Sequence, residues 1–439
     1  MRILFLCEGD AETHDSWSGV SRSLVRHLRE AGHQVIAEDV DLHGATRVVT
    51  AFRSLSPRLA RWRMRHRLGA QGFAARSALA DQCFRRHRDQ VDLVLQVGAT
   101  FRVSNLESHP LALYCDSNIE LSRSAAALGV SEAALLTPRE LEDVRAREAR
   151  IYNEAEVIFT MSDRLQNSFV EDFGIPRSRL CTVHCGPNVE LSEVPEGVSD
   201  SGEAGPEVSP RGGPARNPDP YTILFVGRDF HRKGGALLLE AFTRVRRSHP
   251  QARLIMVGPR PPRARVDGVE FTGYLSRDTP QGRARMDRTY RESDLFCLPT
   301  RFEPFGTSFV EAMLYGLPCV GPRAWAVPEI IEHESTGLLV PPDDPAALAT
   351  ALAALISDPS RTREMGVASR QRVLAHFTWP GIVSRMETRL LPLVQADTSE
   401  AGDRAGVHVS GVHVSGVHVS GVQVSGVQVS GVQVSGVQV

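Results

Sequence analysis

The stretch YTILFVGRDFHRKGGALLLEAFTRV, residues 221–245, decides the fold. It opens on a short apolar run closed by Gly227. Leu237, Leu238, Ala241, Phe242 and Val245 then recur at the spacing of one helix face. A buried strand feeding an amphipathic helix begins a β-α-β unit, and so a parallel sheet covered on both faces. The same plan continues with apolar runs at 252–258, 269–275, 294–300 and 318–321. It also precedes this stretch: a strand at 2–7, a helical pattern over 17–31 stopped by Gly32, then strands at 33–39, 91–98, 111–116 and 155–162. The pattern predicts an α/β protein of two Rossmann-like, doubly wound domains facing a central cleft. Ligands in such sheets bind at the carboxyl ends of the strands, so the loops after strands should hold the functional residues. Neither half carries Gly-x-Gly-x-x-Gly, which argues against hydride transfer to a dinucleotide.

The chain has 439 residues, too many for one ordinary core, and 42% of them are hydrophobic, enough for two packed domains. A net charge of -2 gives no global attraction to nucleic acid. Seven cysteines without a Cys-x-x-Cys pair fit a reduced, cytoplasmic protein. No apolar stretch reaches the ~18 residues needed to span a bilayer, and the apolar start is too short for a signal peptide. The expected boundaries are a first domain over 1–190, a Pro/Gly/Ser-rich flexible linker over 191–220, a second domain over 221–378, a closing helix over 379–395 and a tail over 396–439. From Ala405 that tail repeats a five-residue unit. An odd period flips alternating side chains from face to face, so the repeat reads as disordered, and His408, His413 and His418 read as repeat residues rather than metal ligands. Residues 53–88 hold ten arginines against one acid, Asp81, with apolar residues among them. The segment reads either as a solvated helical face or as a peripheral contact with an anionic membrane surface or acceptor.

Lys233 is the only lysine; every other basic residue is arginine. In a composition that writes arginine wherever either cation serves, a lysine suggests a site needing a compact point charge. A cation at a helix start opposes the helix dipole unless an anion lies beside it. A phosphate there would reconcile Lys233, Arg228 after Gly227, and the helix amides. A second helix start, in TRFEPFGTSFVEAMLYGLP (300–318), carries Glu303 in the turn and Glu311 in the helix. Ser308-x-x-Glu311 spells a capping box, which would explain Glu311 without a ligand. Glu303 has no such explanation, and a carboxylate there could accept sugar hydroxyls while the amides of Phe305, Gly306 and Thr307 receive a diphosphate. Asp39-Val40-Asp41 has the Asp-x-Asp form of metal-dependent transferases, but its place at the end of a first-half strand makes it structural, and no metal is expected.

The blocks 223–259, 294–320 and 327–344 resemble, in order and spacing, the nucleotide-sugar-binding domain of the retaining family-4 glycosyltransferases, which have the GT-B fold. The likeness implies that Gly227, Arg228 and Lys233 bind the donor diphosphate, that Glu303 touches the transferred sugar, and that Glu311 holds the ribose. Arg228, Lys233 and Glu303 would then be the catalytic set, and the co-substrate a UDP- or GDP-sugar with no further cofactor. The first half resembles the acceptor domain less closely, with Ser18-Gly19 where many members carry Gly-Gly, and with Asp116 where a mid-domain histidine is common. The implied reaction is retaining transfer of a sugar to a glycan, lipid or small-molecule acceptor. A nucleotide-sugar epimerase and a non-catalytic nucleotide-sugar-binding protein remain alternatives.

Overall fold

The computed structural model describes residues 1–14, 16–191, 194, 220–260 and 266–404. Most of the expected linker and the repeats from 405 onward lie outside the described residues. The strands are β1 (Arg2–Cys7), β2 (Gln34–Asp39), β3 (Leu93–Val97), β4 (Leu111–Cys115), β5 (Val157–Thr160) and β6 (Leu180–Thr182), then β7 (Thr222–Val226), β8 (Arg253–Val257), β9 (Val269–Gly273), β10 (Leu295–Cys297), β11 (Cys319–Pro322) and β12 (Gly337–Val340). The helices are α1 (Val20–Glu30), α2 (Gly44–Arg53), α3 (Leu59–Leu68), α4 (Ala70–His87), α5 (Ile119–Ser124), α6 (Pro138–Glu154) and α7 (Asp163–Phe173) in the first half. In the second half they are α8 (Gly235–Ser248), α9 (Pro280–Glu292), α10 (Thr307–Leu314), α11 (Val327–Ile330), α12 (Pro345–Ser357), α13 (Pro359–His376) and α14 (Trp379–Arg404).

Two six-stranded sheets result, ordered β2-β1-β3-β4-β5-β6 and β12-β11-β10-β7-β8-β9. All pairings are parallel. Strands β3, β4, β5 and β10 are buried at every residue, as the apolar runs require when helices cover both faces. The strand order reverses between β1 and β3 in one sheet and between β7 and β10 in the other. Such switch points open a crevice outside the strand ends, and the loops after β3, β7 and β10 all reach it. Strands β6 and β12, of three and four residues, add to those expected from the sequence.

The helix expected from Trp17 begins three residues later. Trp17, Ser18 and Gly19 have φ of 47°, 55° and 89°, a left-handed run incompatible with an α-helix. It turns Trp17 and Ser18 toward the cleft, and Asn188 holds the turn by donating from Nδ2 to the Ser18 carbonyl at 2.8 Å. Helix α14 is tied to the first half: Trp379 donates to the Pro187 carbonyl at 2.8 Å, Arg385 to the Val183 carbonyl at 2.8 Å, and Glu387 meets His33 at 2.9 Å.

Candidate active site in the cleft

Between the sheets lies a cavity of about 640 Å³ lined by both halves. On the second half it takes in Gly227, Arg228, Arg232 and Lys233 after β7, and Glu303 with Phe305, Gly306, Thr307, Ser308 and Glu311 after β10. On the first half it takes in Ser18, Asp116 and residues the sequence reading passed over: His14, Arg67, Glu132, Glu148 and Asn188. Gly19 lies behind Ser18, where an added Cβ would sit 3.2 Å from the Asn188 side chain.

Gly227 and Lys233 belong to one packed turn, since a Cβ on Gly227 would come within 2.9 Å of Lys233 Cγ. That contact directs the ammonium into the cleft, where Nζ pairs with Glu303 Oε2. Lys233 and Glu303 are both largely buried, and Arg232 stands 4.0 Å from the other Glu303 oxygen. Burial pushes the Lys233 ammonium below its ordinary pKa, with Glu303 acting in the opposite sense. The two residues assigned from sequence to phosphate and to sugar are thus brought together and bonded to each other. Arg228 is also engaged, its guanidinium stacked on the Tyr274 ring at 4.4 Å.

Helix α10 is preceded by its N-cap Gly306, whose φ of 119° favours glycine. Its first residues line the cavity at the positive end of the helix dipole, where backbone amides make a ready anion site. The capping box is not formed. The N-cap position belongs to Gly306, no side chain caps the helix, and Ser308 lies inside the first turn. Glu311 instead accepts from Arg277 Nη2 at 2.6 Å, from the Tyr290 hydroxyl at 2.9 Å and from the Asn188 amide at 3.3 Å. Ser-x-x-Glu caps only when the serine is the last non-helical residue, and the glycine two places earlier displaces it. Arg277 and Tyr290 were missed because neither forms a local pattern with Glu311.

Across the cleft, Asp116 follows β4. Burial pushes its carboxyl up to about 6, against the pull of Arg67 and Arg232. Burial likewise lifts Glu148 to about 8, with the Ile119 amide, 2.9 Å away, opposing. Arg67, read in the sequence as one of a run of arginines, reaches the cavity from the end of α3 and pairs with Glu132. Arg76 from the same run is buried and stands 3.5 Å from Glu8. Asp39 accepts from the Gly9 and Asp41 amides at 2.8 and 2.7 Å and so ties the end of β2 to the loop after β1. Among the described residues no group of three or more His, Cys, Asp or Glu could hold a metal.

The halves touch around the cavity. Asp278 accepts from the His14 amide at 3.2 Å and meets its ring nitrogen at 3.0 Å. Glu329 of the second half accepts from the first amides of α7, Asp163 at 2.7 Å and Arg164 at 2.9 Å, while Arg164 stacks on Trp325 at 5.0 Å.

Residues 220–358 match the family model described as Glycosyl transferases group 1. A GDP-mannose-dependent alpha-(1-6)-phosphatidylinositol monomannoside mannosyltransferase of Mycolicibacterium smegmatis is 28% identical over 249 residues, 52% of this chain and 60% of its own length. The chain spans about half the length of the curated relatives it matches. Among solved structures, sucrose-phosphate synthase from Thermosynechococcus elongatus aligns over 90% of this chain and 100% of its own, with TM-score 0.63 and 19% identity. Anabaena HepE in complex with UDP-glucose aligns over 92% and 100%, with TM-score 0.56 and 17% identity. The chain therefore has the GT-B fold of these structures, and its residues 220–358 carry the likeness to the glycosyl transferases group 1 family.

Proposed function

We propose that the chain is a retaining glycosyltransferase that takes a sugar from a UDP- or GDP-linked donor and passes it to an acceptor held by the first half. The carrying observation is the convergence, in one cavity, of Lys233, Glu303 and the start of α10. A solved GT-B neighbour in complex with UDP-glucose and a relative named for GDP-mannose support the donor class.

In this reading the α10 amides at Phe305, Gly306 and Thr307 receive the diphosphate, and Arg228 and Lys233 neutralise the charge that develops as it leaves. Lys233 exchanges Glu303 for a phosphate oxygen, which releases the Glu303 carboxylate to accept sugar hydroxyls. Glu311, already fixed by Arg277 and Tyr290, has lone pairs left for the ribose. Ser18 and Asp116 face the sugar and acceptor from the other side. Retention requires the acceptor to approach from the face the diphosphate leaves, so the departing phosphate is positioned to take the acceptor proton. Incubation with a panel of nucleotide sugars and acceptors, followed by nucleotide diphosphate release and the anomeric configuration of the product, tests this. Donor turnover that yields only an epimer, or no turnover with any donor that binds, overturns it.

A further inference from the structure

Ten large hydrophobic side chains are exposed among the described residues, and five of them fall between 48 and 59: Val48, Val49, Phe52, Leu55 and Leu59. The other five are scattered singly. The clustering follows from helix geometry. Thr50 is the one buried residue of α2, and two residues correspond to roughly 200° of rotation, so Val48 and Phe52 face away from the domain. Their exposures of 68% and 72% agree. Helix α3 has no buried residue at all. The hairpin is held by polar ties, the Trp62 indole donating to the Ala51 carbonyl at 2.7 Å and Arg65 to the Leu55 carbonyl at 3.0 Å. Its outer surface has no protein partner among the described residues.

The charge on this surface has one sign. No acid occurs between Asp41 and Asp81. Arg61, Arg65 and Arg67 are paired with Glu140 or Glu132, but Arg47, Arg53, Arg58 and Arg63 are exposed and form no ion pair among the described residues. Exposed Phe, Leu and Val among unpaired arginines match a surface that offers hydrocarbon beneath anions, which is an anionic bilayer. Helix α3 also connects the patch to the cleft. Leu59 opens it in the patch, while Arg67 and Leu68 at its other end line the cavity, about 13 Å away at 1.5 Å per residue.

We propose that the α2–α3 hairpin docks the protein on an anionic lipid surface and brings a membrane-embedded acceptor to the mouth of the cleft. The docking stands on the patch alone; the acceptor class rests on the transfer reading above. The test is co-sedimentation of the full chain, without donor, with vesicles of phosphatidylcholine or of phosphatidylcholine containing about 30% phosphatidylglycerol. The wild type should partition onto the anionic vesicles only, and come off near 1 M salt, where screening acts within roughly 3 Å. Replacing Arg47, Arg53, Arg58 and Arg63 together by Gln should lower partitioning by about 100-fold or more. Val48→Asp with Phe52→Asp should lower it by about 10-fold or more. Melting curves check that the variants fold, and nucleotide diphosphate release in solution should be unchanged in both. Wild-type protein left in the supernatant with anionic vesicles overturns the proposal, as does unaltered binding by the folded variants. Binding to poly-glutamate but not to vesicles also overturns it and assigns the surface to an acidic protein. If vesicle binding holds and no donor is turned over, docking survives and the transfer reading fails.

Discussion

The two walls of the cleft differ in how they are built. The second-half wall is carried mainly by two continuous stretches, 227–233 after β7 and 303–311 from the loop after β10 into α10, with Tyr274 and Arg277 after β9 joining them. The first-half wall draws Ser18 from a left-handed turn, Arg67 from the end of α3, Asp116 from the end of β4, Glu148 from α6 and Asn188 from the far side of β6. A diphosphate is held by helix starts, glycines and one or two cations, and these are local devices. A wall that surrounds an acceptor needs side chains from many elements, and its composition follows from the way the sheet brings those elements together.

The largest expected effect is on the second-half wall. Lys233→Ala should lower turnover by about 10²-fold or more, with Lys233→Arg giving incomplete rescue because the fork does not replace the point charge. The same substitution strands Glu303, which is only 6% exposed at its side chain, and should cost about 3 to 5 kcal/mol of stability. Adding Glu303→Ala should restore much of that stability and none of the turnover. Strict additivity of the two single changes in chemical denaturation would dissolve the pair.

Glu311→Ala comes next. It leaves the Tyr290 hydroxyl and Arg277 without their acceptor, and should cost about 2 to 3 kcal/mol. If Glu311 also holds the ribose, affinity for free nucleotide diphosphate should fall by about 1.5 to 3 kcal/mol in calorimetric titration. Stability lost with normal nucleotide binding would leave Glu311 as a packing anchor only. Glu303→Ala should show the opposite pattern, with transfer impaired and free nucleotide bound normally.

The first-half wall should reveal itself through pH. Asp116 and Glu148 have folded-state pKa values raised above their ordinary ones, so the protonated forms are favoured by folding. Their contribution is complete below the ordinary values of 3.8 and 4.5 and is lost as pH rises through about 6 and about 8. The melting temperature should therefore decline from pH 4.5 to 8. Asp116→Asn should flatten the lower part of that window, by about 3 kcal/mol at most, and Glu148→Gln the whole of it, by about 5 kcal/mol at most. A slope unchanged in both variants would place the titrating groups elsewhere.

The smallest effect belongs to the end of the chain. The compact unit that contains the cleft ends at Ala396. Ending the chain near Asp397 should leave both melting temperature and donor turnover within error of the full chain. A large loss of either would give the repeats a structural role.

The sequence alone established the alternating architecture, most strand positions and several of the second-half cavity residues, including Glu303 and Lys233. Those readings rest on periodicity and on short-range geometry, both written along the chain. It could not give the Lys233–Glu303 pair, because 70 residues separate the partners and only the neighbouring positions of β7 and β10 bring them together. It offered a helix cap for Glu311 beside the ribose role implied by the resemblance; the tertiary structure removed the cap, since Gly306 occupies that position, and gave the carboxylate to Arg277 and Tyr290. The arginine run shows the same limit. Composition established its charge, but only packing decided that Arg76 is buried, that Arg67 reaches the cleft, and that Arg47, Arg53, Arg58 and Arg63 stay exposed beside Val48 and Phe52. Which side of a helix is covered depends on the neighbour that covers it, and that neighbour is fixed by topology rather than by local sequence.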